Sequence, residues 1–228
     1  NAVDEALLLL PPASPYRVPA EFEPVSAFLV SEGDWGGQSA MLVAMLKNGT
    51  VAQGAGAIVL TGGDAASYET WLGQQGVDLT RVRVVNPPQG INAKWTRDFG
   101  PISIYEGAVD GDLAFVDMHY YDDRSRDDAV TAFLAEQIGL ARYGIEGADH
   151  SPPDAAKLYI EGGNFQADGQ GTCILSNDIP GDNAENGNAS ADTLAKVEGI
   201  MAAYFGCAKF IWLTPMPNNG TGHVDMYS

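Results

Sequence analysis

The sequence predicts an α/β fold assembled from repeated strand-strand-helix-strand units, and two observations carry that expectation. Short β-branched runs alternate with helical patterns along the whole chain, and from residue 102 onward their order recurs with a period of about sixty residues. In addition, Asp98, Glu161 and His223 fall at equivalent points of successive units, 63 and 62 residues apart. Repeats arranged around an axis bring equivalent positions together, so three stretches distant in sequence are expected to line one mouth.

The elements follow in order. PPASPYRVPAEFEP (11–24) is proline-rich and is read as irregular surface backbone. VSAFLV (25–30) reads as a strand, SAMLVAMLK (39–47) as a helix and GAIVLTG (56–62) as a buried strand. ASYETWLGQQG (66–76) is a helix whose Gly76 suits a left-handed cap, and RVRVVN (81–86) alternates as a strand does. The first full unit then opens: ISIYE (102–106) and LAFVD (113–117) form a hairpin through GAVDGD, a helix covers 127–140, and KLYIE (157–161) is the closing strand. The next unit repeats this with NFQAD (164–168), GTCILS (171–176), a helix from an N-cap at Ser190 to about Tyr204 with Gly206 as its stop, and AKFIWL (208–213). GHVDMYS (222–228) is expected to open a fourth unit as a strand.

Composition narrows the function. The chain has 228 residues, 45% of them hydrophobic, enough for a sizeable core in one large domain or two small ones. Twelve basic residues against 30 acidic ones give a net charge of −18, which argues against nucleic acid or an anionic membrane as partner. That balance suits a cationic ligand, although solubility alone is a sufficient reason for it. No apolar run reaches the ~18 residues of a membrane span, and ALLLL (6–10), lacking a basic flank, does not make a signal peptide. The start at Asn1 reads as a processed or trimmed terminus. Cys173 and Cys207 do not form a disulfide framework, so secreted, periplasmic and cytoplasmic locations all stay open.

Three stretches could do chemistry. In KWTRDFGP (94–101), Pro101 disfavours a helical Gly100, so Asp98 is placed on a sharp bend with Trp95 three positions earlier. An aromatic face beside a carboxylate traps a planar cation; the plainer alternative is an aspartate capping its own turn and paired with Arg97. In EGGNFQADGQGT (161–172), Glu161 precedes two glycines, a sign of a bulge or of close backbone approach. In GHVDMYS a strand puts His223 and Asp225 on one face, one able to move protons near neutral pH, the other to hold a cation or set the imidazole tautomer. DDRSRDD (122–128) adds Arg124 and Arg126, spaced as a fork for a carboxylate or simply neutralising their aspartates, while Asp127 and Asp128 suit the N-terminus of the helix that follows. The oxygen-rich stretch NDIPGDNAENGN (177–188) offers calcium-type donors without EF-hand spacing and is read as a solvated loop. No metal or cofactor is predicted.

Taken in order, RVPAEFEP, WTRDFGP, EGGNFQADGQGT and TGHVDM resemble the bacterial (Porphyromonas-type) peptidylarginine deiminases and their relatives the agmatine deiminases, from residue 17 to residue 226. The resemblance implies a pentein-type α/β propeller of five ββαβ-like units, of which this chain would hold a little over three. Residues 1–228 would then be the N-terminal portion of a single domain whose C-terminal part is absent from the chain. It implies a hydrolase acting on a guanidinium: a cysteine thiolate attacks the carbon, ammonia leaves, and water resolves a covalent thiouronium. Carried over, Asp98 and Asp225 resemble the guanidinium-binding carboxylates, His223 the general acid/base and Trp95 the aromatic wall. Glu161, Gly162, Gly163 and Asn164 match the inner-wall motif in a supporting role. The departure is the nucleophile, since neither Cys173 nor Cys207 resembles its setting; the chain alone is expected to bind a guanidinium without forming the thiouronium. The Arg124–Arg126 fork favours a C-terminal peptidyl arginine, converted to citrulline, with agmatine on the route to putrescine as the alternative. Two rival classes are an H-x-D iron oxygenase, which needs a histidine downstream whereas His119 and His150 both lie upstream, and a non-catalytic guanidinium-binding protein. A cysteine in a glycine-rich setting beyond Ser228 would separate the enzyme from the binding protein.

Overall fold

The computed structural model describes residues 11–13, 16–32, 39–52, 54–107, 111–145, 157–217 and 220–227. They form three separate sheets, mixed and parallel, with helices packed against them. The first sheet is parallel, in the order β2 (Ala27–Ser31), β3 (Gly56–Leu60), β4 (Val82–Val85). Helix α1 (Ser39–Ala52) buries Leu42 and Leu46, one turn apart, beside Val30 and Val59. Helix α2 (Ala65–Gln74) begins at Asp64, which accepts from Ser67 N–H at 2.8 Å, and ends at the left-handed Gly76 as the sequence predicts.

The second sheet runs β1 (Tyr16–Arg17), β5 (Ile102–Glu106), β6 (Asp112–Met118), β7 (Ala141–Ile145). The β5–β6 hairpin pairs Ile102 with Val116, as expected, though residues 108–110 at its tip lie outside the described residues. Helix α5 (Val130–Ile138) crosses over to β7, parallel to β6. Its Val130 and Leu134 pack with Leu60, Val85, Phe99 and Phe115, joining the first two sheets. The third sheet is β10 (Lys209–Leu213), β9 (Thr172–Ser176), β8 (Phe165–Ala167), with helix α7 (Leu194–Phe205) burying Val197, Ile200, Met201 and Tyr204. A continuous cluster from Ile104 and Val116 through Leu158 to Phe165 and Leu175 ties the second sheet to the third.

The strand-strand-helix-strand order therefore holds in both units, but several expectations need correction. KLYIE is not the closing strand; Ala141–Ile145 is. Leu158, Tyr159 and Ile160 are all buried, so no face alternates to water, and Tyr159 bridges to His119 past the end of β6. Thr193, not Ser190, caps α7. The prologue pairs Tyr16 and Arg17 with β5 and buries Val18 and Ala20. Residues 177–188 are not a solvated loop, because helix α6 (Ile179–Glu185) occupies them, with Asn183 and Asn188 buried against the backbone of Tyr159 and Lys157. GHVDMYS opens no strand: Val224–Met226 is a 3₁₀ turn. Among the described residues the sheets form no closed ring.

Cys173 of β9 and Cys207, just past α7, are joined in a buried disulfide, with Cα atoms 5.8 Å apart. It closes a loop of sequence separation 34, and replacing both cysteines with alanine is expected to cost about 3–4 kcal/mol through the freed unfolded chain. An unfolding midpoint indifferent to dithiothreitol would contradict the bond.

Candidate active site

Three turns build the site, each held by the core beneath it. Helix α3 (Thr96–Phe99) buries Phe99 and ties itself to β2 through Thr96 Oγ1, which donates to Leu29 O at 3.0 Å. Gly100 then leaves in the extended conformation that Pro101 demands, so Asp98 sits in a single helical turn. The second turn is the 3₁₀ stretch Gly162–Asn164, wholly buried, with Glu161 at its head. In the third, Gly222 at φ +67° turns the chain inward, Val224 is buried, and His223 and Asp225 flank it. A buried apolar residue between two polar ones resembles strand alternation, which is why the sequence predicts a strand where a turn is found.

The turns meet. His223 Nε2 lies 2.5 Å from Glu161 Oε2, and Nδ1 lies 3.7 Å from Asp98 Oδ1. Asp98 also accepts from Gly163 N–H, and Glu161 accepts from the Tyr121 hydroxyl. Arg97 does not pair with Asp98: its Nε is 3.5 Å from Asp225 Oδ2, and the rest of its guanidinium donates to Glu21 and to Phe165 O. Gly162 and Gly163 are required by close approach. A Cβ at Gly162 would stand 1.9 Å from Arg97 O, and one at Gly163 2.4 Å from His223 Nδ1.

Burial pushes the Asp98 carboxyl up to about 6; Glu161 and Asp225 add to this and His223 opposes it. The hydrogen bond that His223 donates to Glu161 raises the imidazole above its ordinary value in spite of burial, with Asp98 and Asp225 assisting. Burial alone would raise Glu161, but the bonds from His223 and Tyr121 outweigh it and leave the carboxyl lowered. The two acids beside it thus favour the protonated form of His223.

These groups lie in an open cavity of about 980 Å³. Of the sequence-predicted residues, Trp95, Asp98, Arg124, Glu161, Asn164, His223 and Asp225 line it, while Gly162 and Gly163 form the floor behind Arg97 and His223. Arg126 does not line it. Its backbone is bonded to Asn92 and Gln89, and its guanidinium lies beside Gly90, so the two arginines do not make a fork in the cavity. Arg124 instead donates to Tyr120 Oη at 2.8 Å and lies over the Tyr120 and Tyr121 rings. Sequence reasoning missed the wall formed by Asp178, Asp182 and Glu185. Their i, i+4, i+7 spacing puts them on one helical face, a signal that was present in the sequence. Asp182 is pushed up to about 6, by burial first and then by its acidic neighbours.

Asp98, Glu161 and His223 can each bring one ligand atom within 4.8 Å of the others, a spacing open to a divalent ion. The two carboxylates face different ring nitrogens, however, placing the imidazole between them rather than beside them around a common centre. That suits a protonated imidazole, which has no lone pair for a metal.

The profile of the Porphyromonas-type peptidyl-arginine deiminase family matches residues 17–228. A Shewanella sp. (strain MR-4) protein named "Putative agmatine deiminase" is 28% identical over 147 residues, covering 59% of this chain and 35% of that protein. The chain thus spans about a third of the length of the curated relatives it matches. An agmatine deiminase of Enterococcus faecalis superposes with a TM-score of 0.69 at 21% identity, covering 92% of this chain and 56% of that one. A C. jejuni agmatine deiminase with substrate bound gives 0.65 at 16%, covering 93% and 62%. At these identities the structures establish a shared α/β fold, the pentein fold of the deiminases, with mixed sheets.

Proposed function

The chain belongs to the Porphyromonas-type peptidyl-arginine deiminase family, and we propose that it holds a guanidinium group, and moves protons on it, for hydrolysis to a urea and ammonia. The observation that carries this reading is the charge balance of the site. Among the described residues, Asp98 and Glu161 converge on the single His223 imidazole, Arg97 is shared between Asp225 and Glu21, and Arg124 acts on Glu161, so acids outnumber cations around the site. Asp225 Oδ1 and Asn164 Oδ1 are also buried without a partner. A buried acceptor without a donor is costly, and a planar cation with five N–H donors supplies what is missing.

In the reaction, Asp98 and Asp225 fix the guanidinium against Trp95, presenting its carbon to a thiolate. The thiolate adds to the carbon; His223 protonates the departing nitrogen, which leaves as ammonia, and a thiouronium remains. His223 then takes a proton from water as the water oxygen attacks the same carbon, and the carbon–sulfur bond breaks as the second water proton passes to the ammonia, releasing the urea, ammonium and the thiolate. Both cysteines of this chain are joined to each other, so the thiolate is assigned to residues outside these 228. The isolated chain is expected to bind such cations without turnover.

The tail of the substrate is set by the remaining walls. Asp178, Asp182 and Glu185 line one side and would repel a carboxylate. They favour an amine-bearing tail such as that of agmatine. A C-terminal peptidyl arginine is the second reading, supported by Arg124 in the cavity. Ammonia release by the full-length protein from agmatine, a C-terminal arginine peptide and free arginine tests both. Faster release from agmatine is expected, and no release from any of them refutes the reading.

A further inference from the structure

Asp127 is the most deeply buried acid near the site, fully hidden from solvent, yet it does not line the cavity. Its place in DDRSRDD suits a helix cap, but it lies in the helical turn Ser125–Asp128, and α5 has Ala129 at its N-cap without any side-chain cap. Instead the backbone N–H groups of Asn92 and Ala93 donate to Asp127 Oδ1 at 2.6 and 3.2 Å. Asn92 Oδ1 in turn accepts from Arg126 N–H at 3.1 Å, so side chain and backbone are exchanged in both directions. A carboxylate that binds two successive amides fixes a loop's direction as a cap fixes a helix.

The loop so fixed ends at Trp95. Downstream, Asp98 has its own anchors in the Thr96–Leu29 bond, the buried Phe99 and the Gly163 amide. Trp95 shares only the backbone of that turn, its carbonyl accepting from Asp98 and Phe99 N–H at 2.9 and 3.3 Å. Half of its surface is exposed on the cavity wall, its indole lies beside only the neighbouring Lys94 ammonium among the described ring contacts, and the chain before it is tied through residues 92–93. We infer that Asp127 is a positioning residue that sets the aromatic wall Trp95 against the bound cation, coupling the 89–95 loop to the turn that carries Arg124. This rests on the guanidinium-binding reading above.

A double-mutant cycle on the full-length protein, with the Kd of agmatine read by rapid mixing ahead of turnover, tests it. Asp127→Ala is expected to raise Kd about tenfold, as loss of one aromatic–cation contact would, and to leave the pH dependence set by Asp98 and His223 in place. In a Trp95→Ala background the same change is expected to move Kd by less than about twofold, although it still lowers the unfolding midpoint. Asp127→Asn, which keeps an acceptor oxygen for both amides, restores binding. Where Asp127→Ala fails to fold, Asn92→Ala cuts only the reciprocal bond and is expected to raise Kd about threefold through Trp95 alone. A tenfold effect that persists without Trp95, or no effect with it, overturns the inference. Wild-type protein that binds no agmatine refutes the functional reading instead. The position of Trp95 is then read from its own fluorescence, wild type minus Trp95→Phe: a shift on Asp127→Ala sustains the inference, and an unchanged spectrum overturns it.

Discussion

Replacing His223 with alanine is expected to lower kcat/KM of the full-length protein toward a guanidino substrate by about a thousandfold. Two losses combine. The proposed proton donor to the leaving nitrogen disappears, and Asp98 and Glu161, 3.7 and 2.5 Å from the ring, lose the partner that favours their ionised forms in a buried place. The variant also changes stability in a pH-dependent way. Folded His223 and Asp98 hold protons that the unfolded chain releases, so both make stability fall as pH rises, Asp98 between 3.8 and about 6 and His223 above 6.5. Glu161, lowered from 4.5, acts in the opposite sense, its contribution being lost as pH falls below that value. With His223 gone, the decline above pH 6.5 is expected to flatten. A variant that keeps a tenth of wild-type kcat/KM would remove His223 from proton transfer.

The two glycines of EGGN are expected to fail in different ways. A methyl at Gly162 meets the Arg97 carbonyl at 1.9 Å, backbone against backbone, and neither side can turn away. Gly162→Ala is therefore expected to cost about 3 kcal/mol or more of folding stability, since the loop must separate from α3. A methyl at Gly163 meets the His223 ring at 2.4 Å. That ring can rotate, but only by leaving Glu161 and Asp98, so the expected loss is in activity: about a hundredfold in kcat/KM, with a much smaller change in unfolding midpoint. The two readouts on the two variants separate the effects. If Gly163→Ala stays within about threefold of wild type, the ring is not packed on that glycine in the working protein.

Much of the site was legible because its residues carry chemistry that the sequence cannot hide. Asp98, Glu161 and His223 are polar groups at regular intervals, and the structure brings them together. The spacing points to them even though KLYIE, one of its supposed structural causes, is not a strand. Periodicity reports burial on faces; it misleads at Leu158–Ile160, buried on every side, and at Val224, whose two polar neighbours mimic a strand inside a 3₁₀ turn. The Arg124–Arg126 pair shows the limit of sequence proximity. Two residues apart across the junction of a 3₁₀ turn and a helical turn, they point to different neighbours, Tyr120 and the Gly90 loop. The partners of Arg97, Asp127 and the two cysteines are separated by 34 to 128 residues, and no local pattern encodes contacts of that range.

The central claim is that the turns carrying Asp98, Glu161 and His223 close on one imidazole. The most direct measurement is the titration of the His223 ring by NMR in the 228-residue chain, assigned by loss of its signals in His223→Gln. A midpoint above 6.5 is expected, falling on Glu161→Gln and falling less on Asp98→Asn, in the order of their effects on the ring. A midpoint at or below 6.5, unmoved by either substitution, would mean that the three turns do not meet.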